Sequence, residues 1–317
     1  MRLKFLIPLG LVQERWHSDR QWFVARAKEL GAEVALQVAP FDQACQNIRE
    51  GSLKTQKIDV LVVISSNDRY AAEVVEAARR EGVPVIAYDR MIDDCDLDLY
   101  VSFDNVRVGE LQAEYLVRMA PTGNYVLIGG PTEETNAKQY HEGQMKVLQP
   151  YVNKGAIKIV ADEPAKGWYP MEALKIMRAA LDKTKDQISA VLASNDGTAG
   201  GAIQALEGRG LAGKVPVSGQ DADLAACQRI AQGTQSMTVF KPVQQLATRA
   251  AEAAVALGKK ESLGDGVRTL LIGRRKVPCL LFDPIAVDRK NMGEIIITDG
   301  FHKEEEIFKP DTEGEKP

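Results

Sequence analysis

The stretch Val83-Pro84-Val85-Ile86-Ala87-Tyr88-Asp89-Arg90 indicates the fold class of this chain. Its first five residues form a short apolar run, which is typical of a strand buried on both faces of a sheet, and the pair Asp89-Arg90 ends that run. An amphipathic segment, 70–81, precedes the run, and a second apolar run, 60–64, precedes that segment. This order of strand, helix and strand predicts a parallel α/β sheet.

The same alternation extends in both directions along the chain. Strands are predicted at 3–8, 33–38, 60–64, 83–87, 124–128, 157–160, 190–193, 216–219, 236–240, 269–272 and 277–282. Helices are predicted at 18–30, 43–56, 70–81, 108–119, 136–148, 170–184, 198–209, 222–232 and 243–257. Gly31 and Gly82 follow two of these helices, where a left-handed residue commonly ends a helix. Because 317 residues exceed one domain of about 150, we predict two α/β lobes, each with a parallel doubly wound sheet.

The composition argues against several classes of partner. The chain is 45% hydrophobic, 26% charged and 6% aromatic, with a net charge of −4 and with both signs interspersed. Neither a basic patch nor a set of aromatic stacking platforms for nucleic acid is indicated. No apolar run reaches the roughly 18 residues that a membrane span requires.

The sequence alone leaves the compartment open. The segment 1–10 is too short for a signal-peptide core with a cleavage site, so either the protein is cytoplasmic or a secretory leader has been removed. The cysteines Cys45, Cys95, Cys227 and Cys279 show neither Cys-x-x-Cys nor metal-ligand spacing. We interpret them as structural, unpaired thiols.

Asp89 and Arg90 are the first candidates for ligand binding. Open parallel sheets bind ligands just outside the carboxyl ends of their strands, where this pair is predicted to lie. A carboxylate accepts hydrogen bonds from hydroxyl groups and a guanidinium donates to their oxygens, so the two together suit a polyol. A surface ion pair that closes the strand is the alternative interpretation.

Two tryptophans are predicted on ligand-edge loops. Trp16, in Glu14-Arg15-Trp16, follows the first strand, and Trp168 follows the second strand of the second lobe. Indole faces pack well on the C–H patches of pyranose rings, and the Arg15 guanidinium lies beside one of them in sequence. Core packing is the alternative for each tryptophan.

Polar residues also follow strands of the second lobe. In Ser194-Asn195-Asp196-Gly197-Thr198, we expect Asp196 or Thr198 to cap the next helix and leave Asn195 for a ligand. Asp221 supplies a second carboxylate one strand later. Lys241 either balances Asp221 or Asp89 in a buried network or is solvated.

Other local signals do not support a metal, cofactor or catalytic site. The run Asp94-x-Asp96-x-Asp98 lacks the glycine and the glutamate of a calcium loop, and the Gly-Gly pairs at 129–130 and 200–201 lack the spacing of a nucleotide loop. No nucleophile arrangement accompanies the three histidines. An enzyme would need an acid/base pair, for which Asp89 and Asp221 are the candidates.

The chain resembles the periplasmic D-xylose-binding proteins of the ribose-binding-like family over residues 3–309. The segments that carry the resemblance include Glu14-Arg15-Trp16, Ala87-Tyr88-Asp89-Arg90-Met91-Ile92, Tyr100-Val101-Ser102-Phe103-Asp104-Asn105, Asn136-Ala137-Lys138, Ala193-Ser194-Asn195-Asp196-Gly197, Ser218-Gly219-Gln220-Asp221 and Met237-Thr238-Val239-Phe240-Lys241-Pro242. Two segments depart from the family pattern: 9–13 is almost apolar, and Thr135 precedes Asn136 where a paired asparagine is usual.

The resemblance implies a type I periplasmic-binding-protein fold with two Rossmann-like lobes and three hinge crossings. The lobes would be 1–105 with 240–281 and 106–239 with 282–309. Independently of the resemblance, the tail 310–317 is charged and lacks an apolar face, so it is predicted to be disordered. The implied ligand-binding residues are Arg15, Trp16, Asp89 and Arg90 on the first lobe, Asn136, Trp168, Asn195 and Asp221 on the second, and Lys241 near a crossing.

The resemblance also implies a function. The implied function is that of a non-enzymatic, high-affinity pentose receptor with D-xylose as the preferred candidate ligand. Such a receptor closes about its hinge and delivers the sugar, in the periplasm, to the permease of an ABC importer. No cofactor is expected, and the free protein is expected to be monomeric. The alternative is a xylose-sensing module of the same fold, coupled to a membrane sensor kinase or chemoreceptor.

Overall fold

The structure, a computed structural model, describes residues 1–8, 15–65, 68–272 and 274–308. The elements of the first part of the chain are β1 (Arg2–Pro8), α1 (Arg15–Glu29), β2 (Glu33–Ala39), α2 (Phe41–Arg49), α3 (Ser52–Thr55), β3 (Val60–Val63), α4 (Asp68–Arg80), β4 (Val85–Tyr88), β5 (Leu99–Phe103), α5 (Asn105–Met119) and β6 (Gly123–Gly129). Those that follow are α6 (Thr135–Asn153), β7 (Ile157–Pro164), α7 (Pro170–Thr184), β8 (Ala190–Ala193), α8 (Asp196–Glu207), α9 (Leu224–Gln232), β9 (Thr238–Phe240), α10 (Val243–Lys259), β10 (Arg268–Ile272), β11 (Arg275–Phe282), β12 (Ile285–Val287) and α11 (Glu304–Ile307). Short 3₁₀ and π segments lie at Lys166–Trp168 and Gly293–Ile297.

The chain divides into two compact units. The first comprises Met1–Asp104, Glu133–Asn136 and Pro242–Asp283, and the second comprises Asn105–Thr132, Ala137–Lys241 and the chain from Pro284 onward. The short segment Glu133–Asn136 groups with the first unit, although it lies inside the range predicted for the second lobe. The tail 310–317, predicted to be disordered, lies outside the described residues.

The first unit is built on a seven-stranded sheet in the order β10-β11-β5-β4-β3-β1-β2. Its strand pairs are parallel except for the antiparallel pair β10–β11. Helices α2, α3 and α4 cover one face, and α1 and α10 cover the other. Every residue of β3, β4 and β5 is buried, which is the pattern expected of strands with helices on both faces. The predicted parallel α/β fold is therefore confirmed.

The second unit contains a smaller parallel sheet, β7-β6-β8, and a separate antiparallel pair, β9–β12. Helices α7 and α8 pack on one face of the parallel sheet, and α5 and α6 pack on the other. The strand predicted at 216–219 is reduced to one bridge between Val191 and Val217. Pro216 has no amide hydrogen to donate, so the ladder does not extend before this bridge. On the other edge of the segment, the Val217 amide donates to the Ser236 hydroxyl at 3.2 Å.

Several helix boundaries differ from the predictions. The helix predicted at 43–56 is two helices, because Gly51 between them adopts a left-handed conformation with φ of 85°. Helix α1 begins at Arg15, so Trp16 lies on a helix and not on the loop where it was predicted. Gly31 and Gly82 have φ of 78° and 74°, as their predicted positions after helices require.

The four cysteines are buried and unpaired, as predicted. Burial raises the pKa of the Cys95 and Cys227 thiols to about 12, so both are kept protonated and unreactive at neutral pH. In the described parts of the chain, none of the helices has both the length and the apolar character needed to cross a membrane.

Candidate functional site

The nine predicted ligand-binding residues fall into two sets. Arg15, Trp16, Asp89, Arg90 and Asn136 belong to the first unit, and Trp168, Asn195, Asp221 and Lys241 belong to the second. Asn136 was assigned to the second lobe by the resemblance. Arg15 opens helix α1, but its side chain lies outside the described residues, as do Glu14 and the apolar segment 9–13.

Asp89 is held in an uncommon conformation directly after β4. Its φ is 61°, and its backbone carbonyl accepts hydrogen bonds from the Tyr100 hydroxyl at 3.1 Å, the Ser102 hydroxyl at 2.8 Å and the Asn136 amide nitrogen at 3.1 Å. Its own amide donates to the Val101 carbonyl at 2.7 Å. These four contacts hold a left-handed non-glycine residue in place, which is common at ligand sites.

Asn136 has one satisfied and one unsatisfied polar atom. Its side chain is 5% exposed, and Nδ2 donates to the Asp89 carbonyl. Its Oδ1 is buried and has no hydrogen-bond partner among the described residues. A buried acceptor without a donor is costly, so this oxygen is suited to receive a ligand hydroxyl.

Arg90 is fixed by two neighbours that the sequence did not reveal together. Its guanidinium lies 5.8 Å from the centroid of the Trp16 ring, and Nη1 is 3.2 Å from Glu134 Oε1. Glu134 was not among the predicted residues. The pair Glu133-Glu134, directly before Thr135-Asn136, was the available signal. The Thr135 hydroxyl donates to Asp93 Oδ2 at 2.7 Å, so this segment is tied to the first unit at three points.

Trp16 is a core residue as well as a neighbour of Arg90. It is 7% exposed and packs in the cluster that contains Phe5, Phe23 and Tyr88. The Tyr88 hydroxyl in turn donates to the buried Asp19 carboxylate. Of the two interpretations of Trp16, core packing is therefore present, and any ligand contact would be made by a residue that also supports the fold.

Trp168 is buried in a strained turn of the second unit. Trp168 and Gly167 have φ of 62° and 61°, and the side chain is 6% exposed. It packs in a cluster with Val108, Ala137, Tyr140, Met237 and Val239. Gly130 lies against the indole so closely that an added Cβ would stand 2.1 Å from Cζ2. The indole position therefore depends on Gly130.

Asn195 is the N-cap of helix α8, which corrects the prediction that Asp196 or Thr198 would have this role. Its Oδ1 accepts from the Thr198 amide at 2.9 Å and from the Thr198 hydroxyl at 2.8 Å. In return, the backbone amide of Asn195 donates to the Thr198 hydroxyl oxygen at 3.3 Å. Because capping uses the side-chain oxygen as an acceptor, Nδ2 is the atom of Asn195 that can donate a hydrogen bond to a ligand.

Asp221 and Lys241 form a buried ion pair in the second unit. Asp221 Oδ1 is 2.7 Å from Lys241 Nζ, and the two side chains are 5% and 4% exposed. Asp221 also has a φ of 97°. Of the interpretations of Lys241, pairing with Asp221 is the one observed, and a solvated lysine is wrong.

Gln220 adjoins this pair and was not predicted. It is 2% exposed, and its Nε2 lies 3.5 Å from Asp221 Oδ2. Its Oε1 is buried and has no hydrogen-bond partner within the described part of the chain. The sequence offered only its position between Gly219 and Asp221 at a predicted strand end.

A buried acid, Asp196, supports the loop that carries Asp221. Its Oδ1 accepts from Gln235 Nε2 at 2.8 Å, and its Oδ2 accepts from the Thr238 hydroxyl at 2.9 Å and the Asp223 amide at 3.0 Å. The Thr238 oxygen also accepts from the Ala222 amide at 3.2 Å. Asp196 therefore links the start of α8 to the residues that follow Asp221.

Asp196 should make stability depend on pH. Burial raises its pKa from 3.8 to about 7; the Asp221 charge acts in the same direction and the Arg229 charge opposes it. Between these values the folded state binds more protons than the unfolded state, so the free energy of unfolding should fall as pH rises from about 4 to about 7. The slope cannot exceed about 1.4 kcal/mol per pH unit for one group. Urea unfolding at several pH values measures it, and Asp196→Asn should flatten it.

His141 should also make the free energy of unfolding fall as pH rises, so its contribution must be separated from that of Asp196. Its Nε2 is 2.9 Å from Asp162 Oδ2, and this hydrogen bond raises the pKa of the imidazole. Its stabilisation is present at low pH and is lost as pH rises through the folded-state pKa. His141→Gln removes this contribution and leaves the one from Asp196. Equal slopes in the parent and in Asp196→Asn would contradict the role given to Asp196.

The candidate residues offer neutral and charged hydrogen-bonding groups. Over the described residues, no three His, Cys, Asp or Glu side chains come together as a metal site would require. The first unit contains the unsatisfied amide oxygen of Asn136 and the Arg90 guanidinium, and the second contains a carboxylate, an ammonium and an amide oxygen. Such a set suits a ligand whose hydroxyl groups both donate and accept.

Comparison with known proteins agrees with this chemistry. The model of the periplasmic binding protein domain matches residues 6–262. The chain belongs to this family. It is 52% identical to the D-xylose-binding periplasmic protein of Escherichia coli and 50% identical to that of Haemophilus influenzae. Each alignment spans 295 residues, which cover 93% of this chain and 89% of the relative.

A solved structure gives the same assignment for the fold. An ABC transporter solute-binding protein from Clostridium phytofermentans, with bound β-D-glucose, superposes with a TM-score of 0.85 at 28% identity. The superposition covers 97% of this chain and 100% of the other. The periplasmic-binding-protein fold expected from the sequence is confirmed, and the relatives are binding proteins rather than enzymes.

Proposed function

We propose that this protein is a D-xylose receptor. The observation that carries the proposal is that about half of its residues are identical to D-xylose-binding periplasmic proteins over 93% of the chain. Identity at this level extends through both compact units and is not confined to one motif.

The side chains support a monosaccharide ligand. The oxygen of Asn136 can accept from a hydroxyl, and the Asp221–Lys241 pair can accept from one sugar oxygen and donate to another. Trp168 supplies an aromatic surface in the second unit. We propose that the sugar is bound by the nine predicted residues, with Arg90, Asn136, Asp221 and Lys241 as its main polar partners.

We further propose that the protein delivers its sugar to an ABC permease outside the cytoplasm. The similar D-xylose-binding proteins are named as periplasmic, and the structural neighbour is named as an ABC transporter component. No comparable observation favours the sensor-kinase alternative. Hinge closure on the sugar and a monomeric free state stay predictions.

Titration calorimetry against a panel of sugars tests the proposal. D-Xylose should bind more tightly than D-ribose and L-arabinose, because each of these epimers misplaces one hydroxyl and leaves a buried partner unsatisfied, at about 1–3 kcal/mol. D-Glucose should also bind more weakly, since its hydroxymethyl group adds bulk. Tighter binding of any other sugar in the panel would contradict the assignment to xylose, and absence of binding to all of them would contradict a sugar receptor.

A further inference from the structure

Gln220 differs from the other buried glutamines around it. Gln112 Oε1 accepts from Gln144 Nε2 at 2.8 Å, and Gln235 Oε1 accepts from Arg229 Nε at 2.9 Å. Gln220 is as buried as these residues, but its Oε1 has no hydrogen-bond partner among the described residues. Nearly all buried polar groups in proteins are satisfied, so an exception indicates where an outside donor is required.

The position of the Gln220 amide points to the kind of donor. Its nitrogen lies 3.5 Å from Asp221 Oδ2, an orientation that electrostatics favours because the reverse would set two oxygens against each other. The oxygen on the same amide carbon is therefore turned away from Asp221 Oδ2, and the Asp221 carboxylate itself pairs with Lys241. Two acceptors and one cationic donor are thus grouped on neighbouring residues.

We propose that Gln220 is a further sugar-contacting residue, whose Oε1 accepts a hydrogen bond from a hydroxyl next to the one that Asp221 binds. The inference rests on the proposed function, because it takes a monosaccharide as the ligand. Adjacent hydroxyls of a pyranose can donate to two adjacent acceptors, which a ligand with a single hydroxyl cannot do. Gln220 would then help select sugars that carry both hydroxyls.

The surrounding structure keeps Gln220 in place without using its oxygen. Its backbone carbonyl accepts from the Asp196 amide at 3.0 Å, and the preceding Gly219 carbonyl accepts from Gln112 Nε2 at 3.0 Å. These bonds fix the main chain on both sides of the residue. The ligand would therefore meet a side chain whose attachment is already ordered, which limits the entropy lost on binding.

A thermodynamic cycle between protein and sugar tests the proposal. The ligands are D-xylose and the D-xylopyranose analogues that each lack one hydroxyl, and the variant is Gln220→Met, which keeps the length and removes the acceptor. We expect the variant to bind D-xylose about tenfold more weakly than the parent. For one analogue, the one that lacks the hydroxyl bound by Gln220, parent and variant should bind with nearly equal affinity.

Gln144→Met is the matched control, since it also removes a buried glutamine. Gln144 Nε2 donates to Gln112 Oε1 at 2.8 Å and to the Ser194 hydroxyl at 3.2 Å, so its loss should lower the unfolding midpoint and leave the ratio of affinities for xylose and each analogue unchanged. Gln220→Met should lower the midpoint of the sugar-free protein less than the control does, because it removes an acceptor that has no donor and only one long contact, 3.5 Å from Nε2 to Asp221 Oδ2.

The outcomes separate this inference from the proposed function. If the parent binds xylose and Gln220→Met loses the same factor for every ligand, or loses nothing, Gln220 does not contact a hydroxyl and a buried water is the donor instead. If the parent binds none of the sugars, the proposed function fails and the inference fails with it. If Gln220→Met loses affinity for xylose and for every analogue except one, the result supports both the inference and the proposed function.

Discussion

Asp221→Ala should abolish measurable sugar binding and destabilise the sugar-free protein by about 3–5 kcal/mol. The side chain is 5% exposed and lies 2.7 Å from the ammonium group of Lys241, which is 4% exposed. Removing the carboxylate leaves a buried cation without the charge that balances it, which costs more than the ion pair itself contributes. Urea unfolding measures the loss of stability, and calorimetry with D-xylose measures the loss of binding.

Two further variants distinguish the charge from the shape of Asp221. Asp221→Asn keeps an acceptor oxygen, and asparagine tolerates the positive φ of 97°. This variant should therefore be more stable than Asp221→Ala and should bind the sugar measurably, but more weakly than the parent. Adding Lys241→Met to Asp221→Ala should restore part of the stability, because the unbalanced cation is then gone. An Asp221→Ala protein as stable as the parent would show that the pair is not buried in solution.

The local sequence was sufficient to predict most of the fold. The runs 60–64, 83–87 and 190–193 are apolar without interruption, and they form the buried strands β3, β4 and β8. Strand β5 was not predicted. It pairs with β4 and with β11, whose Cys279 stands opposite Tyr100, so it depends on a partner remote in sequence. The run Leu99–Phe103 is also interrupted by the polar Ser102, so it lacks the continuous apolar pattern of the strands that were predicted.

The candidate site was located by the rule that ligands meet the carboxyl ends of strands. That rule placed Asp89 directly after β4 and Asn195 directly before α8, but it could not assign their hydrogen bonds. Asn195 serves as a helix cap, and Arg90 is paired with Glu134 from a distant segment. These details depend on side-chain geometry and tertiary contact, which a strand-end pattern does not contain.

Gly130→Ala should weaken sugar binding at least tenfold and lower stability by about 1–3 kcal/mol. An added Cβ would stand 2.1 Å from Cζ2 and 2.2 Å from Cη2 of Trp168, so the indole would have to move. The indole belongs to a buried cluster with Tyr140 and Met237, with ring centroids of Tyr140 and Trp168 6.2 Å apart, so little space is available for it to shift. Calorimetry and urea unfolding of the variant measure the two effects.

The neighbouring glycine offers a matched control, because a Cβ at Gly129 would meet nothing within 4 Å. Gly129→Ala should therefore bind sugar as the parent does and be no less stable. If the effect of Gly130→Ala passes through the indole, Trp168→Ala should cost less affinity in the Gly130→Ala background than in the parent, because the contact has already been disturbed. Additive losses would mean that Trp168 and Gly130 affect sugar binding separately. If Gly130→Ala bound the sugar as tightly as Gly129→Ala, the position of the indole would not govern binding.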